Sequence, residues 1–241
     1  MNLFQDTETA FARLSNSRLR KARLLFRLLA RPGLVRAGQY LLNGMIKTGL
    51  PVGWAVKPTV YRHFVGGGNL KECDQLVEEL ARYHVYSILD YSVEGQGSDE
   101  GISEALKETM ASVEKAGCSP DIPFAVFKPT ALISHSLLDK MANPAGMNSS
   151  ELAGAEAFRE RVRLLCEKAH SLDTPLLIDA EDSWYQAFVD ETVEKMMMQF
   201  NKEKAIVFNT LQMYRHDRLS YLKTLIRSEE RRVGKECRSR W

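Results

Sequence analysis

Four short apolar runs, each ending in a polar residue and each followed by a helical pattern, organise most of this 241-residue chain. Runs that are apolar at nearly every position are typical of strands in a parallel sheet whose two faces are both buried. The carboxyl ends of parallel strands lie at one edge, where (β/α)8 barrels build their active sites. The predicted fold class is therefore α/β, a partial (β/α)8 TIM-like barrel of about four βα units with an N-terminal helical arm, and the pattern indicates an enzyme. The runs are residues 86–90 (YSILD), 124–128 (FAVFK), 176–179 (LLID) and 205–209 (AIVFN).

Helical periodicity predicts the elements that precede the first strand. Two helices share residues 9–48 and are separated by a break at residues 31–33, where Pro-Gly marks a turn. Residues 50–59 are predicted to form a loop, and residues 72–84 to form a helix.

The helices between the strands are predicted from their start and stop signals. Residues 99–116 form a helix that is expected to end at Gly117. Ser149 or Ser150 is expected to cap the helix after the second strand, and Ser183 the helix after the third.

The basic residues are concentrated near the amino terminus. Residues 9–62 contain eleven Lys or Arg side chains and no Asp or Glu, although the whole chain carries a net charge of only +2. Within this segment, residues 18–31 interleave basic and leucine-rich positions, as in amphipathic helices that lie on anionic membranes. The alternative is a solvated arm whose leucine face packs on the acidic remainder of the chain. Asp6 and Glu8 count against a mitochondrial transit peptide.

Sequence signals for membrane spans, secretion and metals are missing. No apolar run approaches the roughly 18 residues of a transmembrane helix, and the start of the chain lacks the order of a secretory signal. Cys73, Cys118, Cys166 and Cys237 have no paired spacing, so neither a zinc cluster nor a disulfide framework is expected. We expect a cytoplasmic protein, with peripheral contact at the inner face of a membrane, that holds no metal and binds no nucleic acid.

Three polar side chains of different kinds follow successive predicted strands. Lys128 ends the second strand, Asp179 ends the third, and Gln212 lies just beyond the fourth. A buried lysine needs a carboxylate partner because desolvation otherwise removes its charge, and Asp179 is the candidate. A structural ion pair is the alternative interpretation, but the strand-end position favours a functional site.

Further carboxylates lie near the same strand ends. Asp90 and Glu94 follow the first strand and either act as a pair in acid–base chemistry or cap loop amides and bind the basic arm. Glu181 and Asp182 are interpreted as charges at the start of the next helix, where the helix dipole favours them.

Four motifs occupy the strand ends: residues 89–95 (LDYSVEG), 127–132 (FKPTAL), 177–184 (LIDAEDSW) and 208–214 (FNTLQMY). In this order and spacing they resemble the motifs of the proline dehydrogenase family, and the resemblance covers residues 60–226. It implies a distorted (β/α)8 barrel that holds FAD over its carboxyl face. It also implies oxidation of L-proline to 1-pyrroline-5-carboxylate in proline catabolism, with electron transfer to a membrane quinone.

The resemblance further implies roles for four residues. Lys128 matches the lysine that helps bind the proline carboxylate, and Asp179 matches the active-site aspartate beside it, so both are catalytic candidates. Ala180 matches the adjoining backbone near the flavin, and Gln212 matches the glutamine that hydrogen-bonds the flavin ring. These residue types suit the roles, because a cation holds a carboxylate and an amide both donates and accepts hydrogen bonds.

The last fifteen residues differ from the rest of the chain. Residues 227–241 (RSEERRVGKECRSRW) have no apolar periodicity and resemble the conceptual translation of a sequencing adapter, so we interpret them as a non-native tail. The predicted domains are thus a basic helical arm at 1–60, the N-terminal half of a proline dehydrogenase barrel at 61–226, and this tail. Half a barrel leaves sheet edges unpaired and apolar surface exposed, so we expect a fragment that is inactive, binds FAD poorly and aggregates.

Two other functions are compatible with the same residues. One is a Schiff-base enzyme resembling class I aldolases, in which Lys128 is the nucleophile. The other is a non-catalytic, membrane-associated protein that uses residues 9–36. Visible flavin absorbance in the purified protein would favour the dehydrogenase over both.

Overall fold

The structure, a computed structural model, describes residues 5–91 and 97–236 of the chain. The chain divides into two compact units, residues 1–87 and residues 88–241. The described part of the first unit is helical, and every strand that the structure describes belongs to the second. The domain boundaries expected at residues 60 and 226 stay predictions.

Six α-helices lie in the described part of the first unit, and the residues at their first positions explain where two of them begin. Pro32 opens the third helix at a position where its missing N–H costs no hydrogen bond. At the start of the sixth, the Asn69 side chain accepts a hydrogen bond from the Glu72 N–H at 2.9 Å. The break predicted at residues 31–33 is therefore confirmed. The helices are α1 (Thr7–Phe11), α2 (Asn16–Leu29), α3 (Pro32–Lys47), α4 (Gly53–Val56), α5 (Arg62–Phe64) and α6 (Leu70–Ala81).

The loop predicted at residues 50–59 is wrong, because the chain is helical from Gly53. α4 continues directly into a π-helical turn, Lys57–Tyr61. Pro58 is the second residue of this turn, and its missing N–H removes one donor from the helical ladder where the π-helical pattern begins. The chain nevertheless stays helical through the proline, contrary to its sequence signal.

The amphipathic α2 buries none of its side chains. Arg13 just before it and Arg18 within it both donate to Oε1 of Glu79 on α6, at 3.0 and 2.9 Å. Leu24 and Phe26 are 58% and 52% exposed. The helix thus presents basic and apolar side chains together at the surface. Among the described residues, no helix is both long enough and apolar enough to cross a membrane.

Four parallel strands form the sheet of the second unit, and their spatial order is their order in the sequence. Phe127 of the second strand pairs with Ile178 of the third, which pairs in turn with Asn209 of the fourth. All four predicted strands are present, and the parallel order agrees with a partial (β/α)8 barrel, although the sheet is not closed within the described residues. The strands are β1 (Ile88–Leu89), β2 (Phe124–Phe127), β3 (Leu176–Ile178) and β4 (Val207–Asn209).

Helices follow the strands in βα order and cover one face of the sheet. The helices are α7 (Asp99–Cys118), α8 (His135–Met141), α9 (Ser149–Ser171), α10 (Gln186–Phe200) and α11 (Arg218–Glu236). α7 packs against β2, α10 packs against β4, and α9 packs against both of these helices. Val113, Phe158 and Val189, one from each of the three helices, are at most 1% exposed. The core of this unit therefore lies between the sheet and α7, α9 and α10.

The two faces of the sheet differ in burial. The side chains that face the helices are at most 2% exposed, and they are Ala125, Phe127, Leu176, Ile178 and Val207. The alternate side chains are only half-buried, and they are Phe124, Val126, Leu177 and Phe208. The prediction that the strands are buried on both faces is therefore wrong. The apolar pattern is that of a barrel interior, but the sheet stays open in the described residues and leaves this face partly exposed.

The cap of α9 is Asn148, so the prediction of Ser149 or Ser150 is wrong. The Asn148 side chain accepts the Glu151 N–H at 2.9 Å, while the Glu151 carboxylate accepts the Asn148 N–H at 2.9 Å. This reciprocal capping box satisfies two backbone donors at once, which a serine one position later could not do at this helix start.

Two other helix ends also differ from the prediction. α7 runs through Gly117 to Cys118, and a Cβ at Gly117 would lie 2.9 Å from Oγ1 of Thr174. The glycine therefore permits close packing and does not mark the end of the helix. α10 begins at Gln186, so Ser183 lies outside the helix and does not cap it.

Candidate active site

Lys128, Asp179 and Thr210 form a row across the carboxyl ends of β2, β3 and β4. Each residue directly follows its strand, and the last residues of the three strands pair at one level. Asp179 N–H donates to the Phe127 carbonyl at 3.0 Å, and Thr210 N–H donates to the Ile178 carbonyl at 3.2 Å, so the ladder extends one step further. Because side chains alternate along a strand, this row faces away from the helices, toward the open side of the sheet.

The ammonium of Lys128 and the carboxylate of Asp179 form an ion pair, with 2.9 Å between Nζ and Oδ2. The side chains are 22% and 36% exposed, so the pair is partly shielded from water. The hydrogen bond with Asp179 raises the pKa of Lys128 above its usual value, against the effect of burial, and the charges of Asp179, Asp90 and Glu181 add to the shift. Lys128 is therefore held as a cation, as expected when a lysine has a carboxylate partner.

The second carboxylate oxygen of Asp179 is held by two neutral donors. Oδ1 lies 3.0 Å from the Thr210 hydroxyl and 3.1 Å from the backbone nitrogen of Ala180. The Ala180 N–H also donates to the Thr210 hydroxyl oxygen at 2.7 Å. Both oxygens of Asp179 thus have fixed partners, Lys128 on one side and the Thr210–Ala180 pair on the other.

Gln212 lies beside this group. Its side-chain Nε2 donates to the carbonyl oxygen of Ala180 at 3.1 Å. The orientation of the amide is therefore set, with Nε2 toward Ala180 and Oε1 on the opposite side of the amide. Gln212 is thus connected to Asp179 through the backbone of Ala180, whose carbonyl contacts Gln212 and whose N–H contacts Asp179.

Glu181 connects the turns that follow β2 and β3. Its carboxylate accepts hydrogen bonds from the Thr130 N–H at 2.7 Å and from the Thr130 hydroxyl at 2.5 Å. The interpretation of Glu181 and Asp182 as charges in the first turn of a helix is wrong, because α10 has no acidic residue in its first turn. Glu181 instead fixes the backbone two residues beyond Lys128.

A buried polar network supports the row from the side of the helices. Gln186 accepts the Glu181 N–H at 2.8 Å and donates to Asp190 at 2.9 Å. Asp190 also accepts from Asn209 at 3.2 Å and from Arg218 at 2.5 Å. The Asp190 and Arg218 side chains are only 5% and 9% exposed, so this ion pair joins α10 to α11 in a dry environment.

The four residues singled out at the strand ends, Lys128, Asp179, Ala180 and Gln212, lie together in the structure. They bring a cation, a carboxylate and a backbone-anchored amide to one edge of the sheet. The ammonium of Lys128 can bind an anionic group. The amide of Gln212 can hydrogen-bond a planar ring whose edge carries both donors and acceptors.

The structure describes one of the two carboxylates that follow the first strand, and it adds a residue after the fourth. Asp90 is exposed and acts on Lys128 through its charge, whereas Glu94 lies outside the described residues. Sequence reasoning missed Thr210. The available signal was strand parity: Asn209 faces the helices and binds Asp190, so the next residue must face the same side as Asp179.

Comparison with known proteins gives one family. The family model for proline dehydrogenase matches residues 73–239. The carbapenem antibiotics biosynthesis protein CarD of Pectobacterium carotovorum subsp. carotovorum is 29% identical over 159 residues, which cover 66% of this chain and 42% of that protein. Proline dehydrogenase 1, mitochondrial, of Dictyostelium discoideum is 27% identical over 224 residues, which cover 77% of this chain and 39% of that protein.

A solved structure agrees in fold. Proline Utilization A (PutA) from Corynebacterium freiburgense superimposes with a TM-score of 0.54 and 19% sequence identity, over 89% of this chain and 19% of that chain. The similarity places the open sheet and its helices within the architecture of that protein. The chain spans less than half the length of the curated relatives that it matches.

Proposed function

Because the chain belongs to the proline dehydrogenase family, we propose that its strand-end residues are part of a site that oxidises L-proline to 1-pyrroline-5-carboxylate in proline catabolism. One observation carries the proposal: the Lys128–Asp179 ion pair and the Gln212–Ala180 hydrogen bond lie side by side at the carboxyl ends of parallel strands. Strand ends of this kind are where barrel enzymes place their catalytic groups.

Lys128 is proposed to bind the carboxylate of L-proline. Its pKa is raised, so the side chain remains a cation at any physiological pH and can pair with an anion. Asp179 holds the ammonium from one side, which fixes the direction in which the substrate carboxylate can approach. The two residues thereby orient the proline ring relative to the neighbouring Gln212 and Ala180.

FAD is the proposed cofactor, and the residues present fit it. Gln212 offers an amide whose direction is fixed by Ala180, and amides suit the pyrimidine edge of an isoalloxazine because they donate and accept in one plane. Ala180 itself carries only a methyl group beside this amide. When bound, FAD would supply the two-electron oxidant that accepts a hydride from the proline ring carbon next to the amine, and loss of the amine proton to solvent would leave the C=N bond.

A membrane quinone is the proposed final electron acceptor, and peripheral contact at the inner face of a membrane is the proposed location. The support is the exposed surface of α2, where basic residues alternate with apolar side chains such as Leu24 and Phe26. Helices with this composition bind anionic membranes by combining charge attraction with shallow apolar insertion.

The Schiff-base alternative is disfavoured by the same ion pair. A nucleophilic lysine must be neutral when it attacks a carbonyl, and such enzymes lower its pKa by burial or by a neighbouring cation. Lys128 has the opposite environment, because Asp179, Asp90 and Glu181 all raise its pKa.

The substrate proposal is tested by chemical protection of Lys128 in the chain itself. The protein is treated with an amine-reactive succinimidyl ester, and labelling of each lysine is followed by peptide mass spectrometry. L-Proline and cyclopentanecarboxylate, which both carry the carboxylate, are expected to slow labelling of Lys128 relative to the exposed lysines of the same sample, a ratio that is unaffected when an added amine consumes the ester. Pyrrolidine, which lacks the carboxylate, is expected to leave this ratio unchanged. Protection by pyrrolidine, or no protection by L-proline, contradicts carboxylate binding at Lys128.

The reaction is tested in a chimera in which residues 73–226 replace the matching segment of the Dictyostelium discoideum proline dehydrogenase. We expect bound flavin absorbance and proline-dependent reduction of a quinone analogue. The Lys128→Met chimera is the control, and it should keep its flavin while losing turnover at subsaturating proline. A folded, flavin-loaded chimera that does not oxidise proline would rule out the proposed activity.

A further inference from the structure

Thr210 is the one member of the strand-end row to which no role has been given. It lies at the level of Lys128 and Asp179, directly after β4, and its side chain is half-buried. A threonine here could be explained by strand propensity alone, because β-branched residues are common in strands. Its contacts show a more specific arrangement.

The direction of the Thr210 hydroxyl follows from its two partners. Oγ1 lies 2.7 Å from the Ala180 nitrogen, which can only donate, and 3.0 Å from Asp179 Oδ1, which accepts when ionised. The hydroxyl has one hydrogen, so it accepts from Ala180 and donates to Asp179. The two hydrogen bonds therefore form a directed chain from the Ala180 backbone through Thr210 to the Asp179 carboxylate.

This chain restricts rotation of the carboxylate. Without it, Oδ1 would keep only the 3.1 Å contact with its neighbouring Ala180 N–H, which is shared with the Thr210 oxygen. With it, Oδ1 is held from the β4 side while Oδ2 is held by Lys128 from the β2 side. The Ala180 carbonyl, which belongs to the next peptide group, accepts from Gln212, so the backbone is engaged on both sides of the Ala180 Cα.

We propose that Thr210 is a positioning residue: its hydroxyl fixes the Asp179 carboxylate and the Ala180 peptide, and thereby holds Lys128 and Gln212 in place. The inference rests on the proposed function, because Lys128 is the residue assigned there to the substrate and Gln212 the residue assigned to the flavin. Its structural content is independent of that function, because it concerns how tightly Lys128 is paired.

The test compares three variants of the full chain. Thr210→Val keeps the shape but removes the hydroxyl, and Thr210→Ser keeps the hydroxyl. Thr192→Val is the matched control, because Thr192 is a buried threonine on α10 whose hydroxyl donates to the Phe188 carbonyl at 2.9 Å, within its own helix. Lysine labelling by the succinimidyl ester is measured as a function of pH without any ligand, together with thermal unfolding of each variant.

In Thr210→Val the carboxylate is expected to spend part of its time away from Lys128, which leaves more neutral amine at a given pH. Labelling of Lys128 should rise about fivefold, because the loss of one hydrogen bond worth about 1 kcal/mol changes the ratio of paired to unpaired Lys128 by about this factor. Thr210→Ser should label at the wild-type rate, and so should Thr192→Val even if it unfolds at a lower temperature. Asp179→Asn gives the upper limit, because it removes the partner itself.

Equal labelling of Lys128 in wild type and Thr210→Val would overturn the proposal. A rise at every lysine, matched by Thr192→Val, would also overturn it, because the hydroxyl would then act only through general stability. Neither result depends on L-proline. The protection experiment with L-proline can therefore fail while Thr210 still orders the pair, or succeed while Thr210 proves dispensable.

Discussion

The Lys128 ammonium and the Asp179 carboxylate meet at 2.9 Å although the two residues lie 51 positions apart in the sequence. They belong to two successive βα units, and the parallel pairing of β2 with β3 brings their ends to one level. The contact is therefore produced by the fold and by no local sequence feature. Each partner of the pair can therefore be replaced without changing the other.

The stability contributed by this pair should depend on pH in the alkaline range. The folded state raises the pKa of Lys128 above 10.5, so it binds this proton more tightly than the unfolded chain does. The stabilisation is then fully present below pH 10.5 and is lost as pH rises through the folded-state pKa. We expect the unfolding free energy of wild type to exceed that of Lys128→Met by about 1 kcal/mol or less near pH 8, because the pair is partly solvated. Urea unfolding of both proteins between pH 8 and pH 11.5 measures the difference.

The difference between wild type and Lys128→Met is not affected by the titration of tyrosines, and the same comparison in an Asp179→Asn background tests its source. Burial raises the pKa values of Tyr185 and Tyr221, so at high pH these groups lose their protons when the chain unfolds. They are the same in wild type and in Lys128→Met, so they cancel in the difference. In an Asp179→Asn background the pH dependence of the difference should become much smaller, because only the charges of Asp90 and Glu181 then raise the pKa of Lys128, and burial opposes them. An unchanged pH dependence in that background would show that Asp179 is not its source.

The sequence predicted much of this arrangement, and its failures have physical causes. The apolar runs and the polar residues after them locate all four strands and the Lys128–Asp179 pair, because period and position along a strand depend on local sequence. Strand parity places Thr210 on the same side of the sheet as Asp179, but the hydrogen bond between them depends on the register between β3 and β4, which no local pattern reveals. Glu181 was misassigned for a similar reason: its partner Thr130 lies on a different turn, 51 residues away.

The capping box at Asn148 gives a prediction for the stability of α9. Asn148→Ala should lower the unfolding free energy by about 1 kcal/mol, since it leaves the helix start without its side-chain acceptor. Asn148→Asp should retain most of the stability, because aspartate accepts the same hydrogen bond. Ser149→Ala and Ser150→Ala are the controls and should be close to neutral. A larger loss at either serine would contradict the observed cap.

The buried pair of Asp190 and Arg218 should matter far more than surface pairs. Asp190→Ala leaves the Arg218 guanidinium without one partner in a site that is 9% exposed, and it also removes the acceptor of Gln186 and Asn209. We expect a loss of about 3 kcal/mol, typical when one partner of a buried pair is removed. Lys195→Ala removes an exposed pair with Glu191 and should cost about 0.5 kcal/mol or less. Similar losses in the two variants would contradict the supporting role of Asp190.

The 241 residues alone are predicted to be catalytically inactive. The sheet that the structure describes has open edges at β1 and β4, and its second face is only half-buried. Exposed strand edges and apolar faces favour association of chains over a defined pocket. We expect weak FAD retention, light scattering that rises with concentration, and no proline-dependent reduction of a quinone. Measurable proline:quinone turnover by the purified chain would overturn this prediction.

Membrane contact by α2 is the last prediction, and the structure narrows the residues that should be changed. Arg18 is engaged by Glu79, so neutralising it would disturb the first unit as well as any membrane contact. Arg20, Lys21, Arg23 and Arg27 are exposed and make the better set for replacement by glutamine. Each basic residue near an anionic surface contributes about 1 kcal/mol, so the quadruple variant should bind anionic vesicles up to roughly a thousandfold more weakly at low salt.

The control for this experiment must change the charge equally at another place. Replacing Lys107, Lys195, Lys202 and Lys204 by glutamine removes the same four charges from exposed positions of the second unit, where the pairs of Lys195 with Glu191 and of Lys204 with Asp173 are exposed and contribute little. Co-sedimentation with phosphatidylserine vesicles should then remain close to wild type, because α2 is intact. The net charge of this control is nevertheless lowered by the same amount as in the α2 variant. Equal weakening in both quadruple variants would mean that net charge drives the binding. In 150 mM salt only the electrostatic part of the affinity should be weakened. Vesicle binding that is unaffected by the α2 substitutions would rule out this helix as the membrane contact.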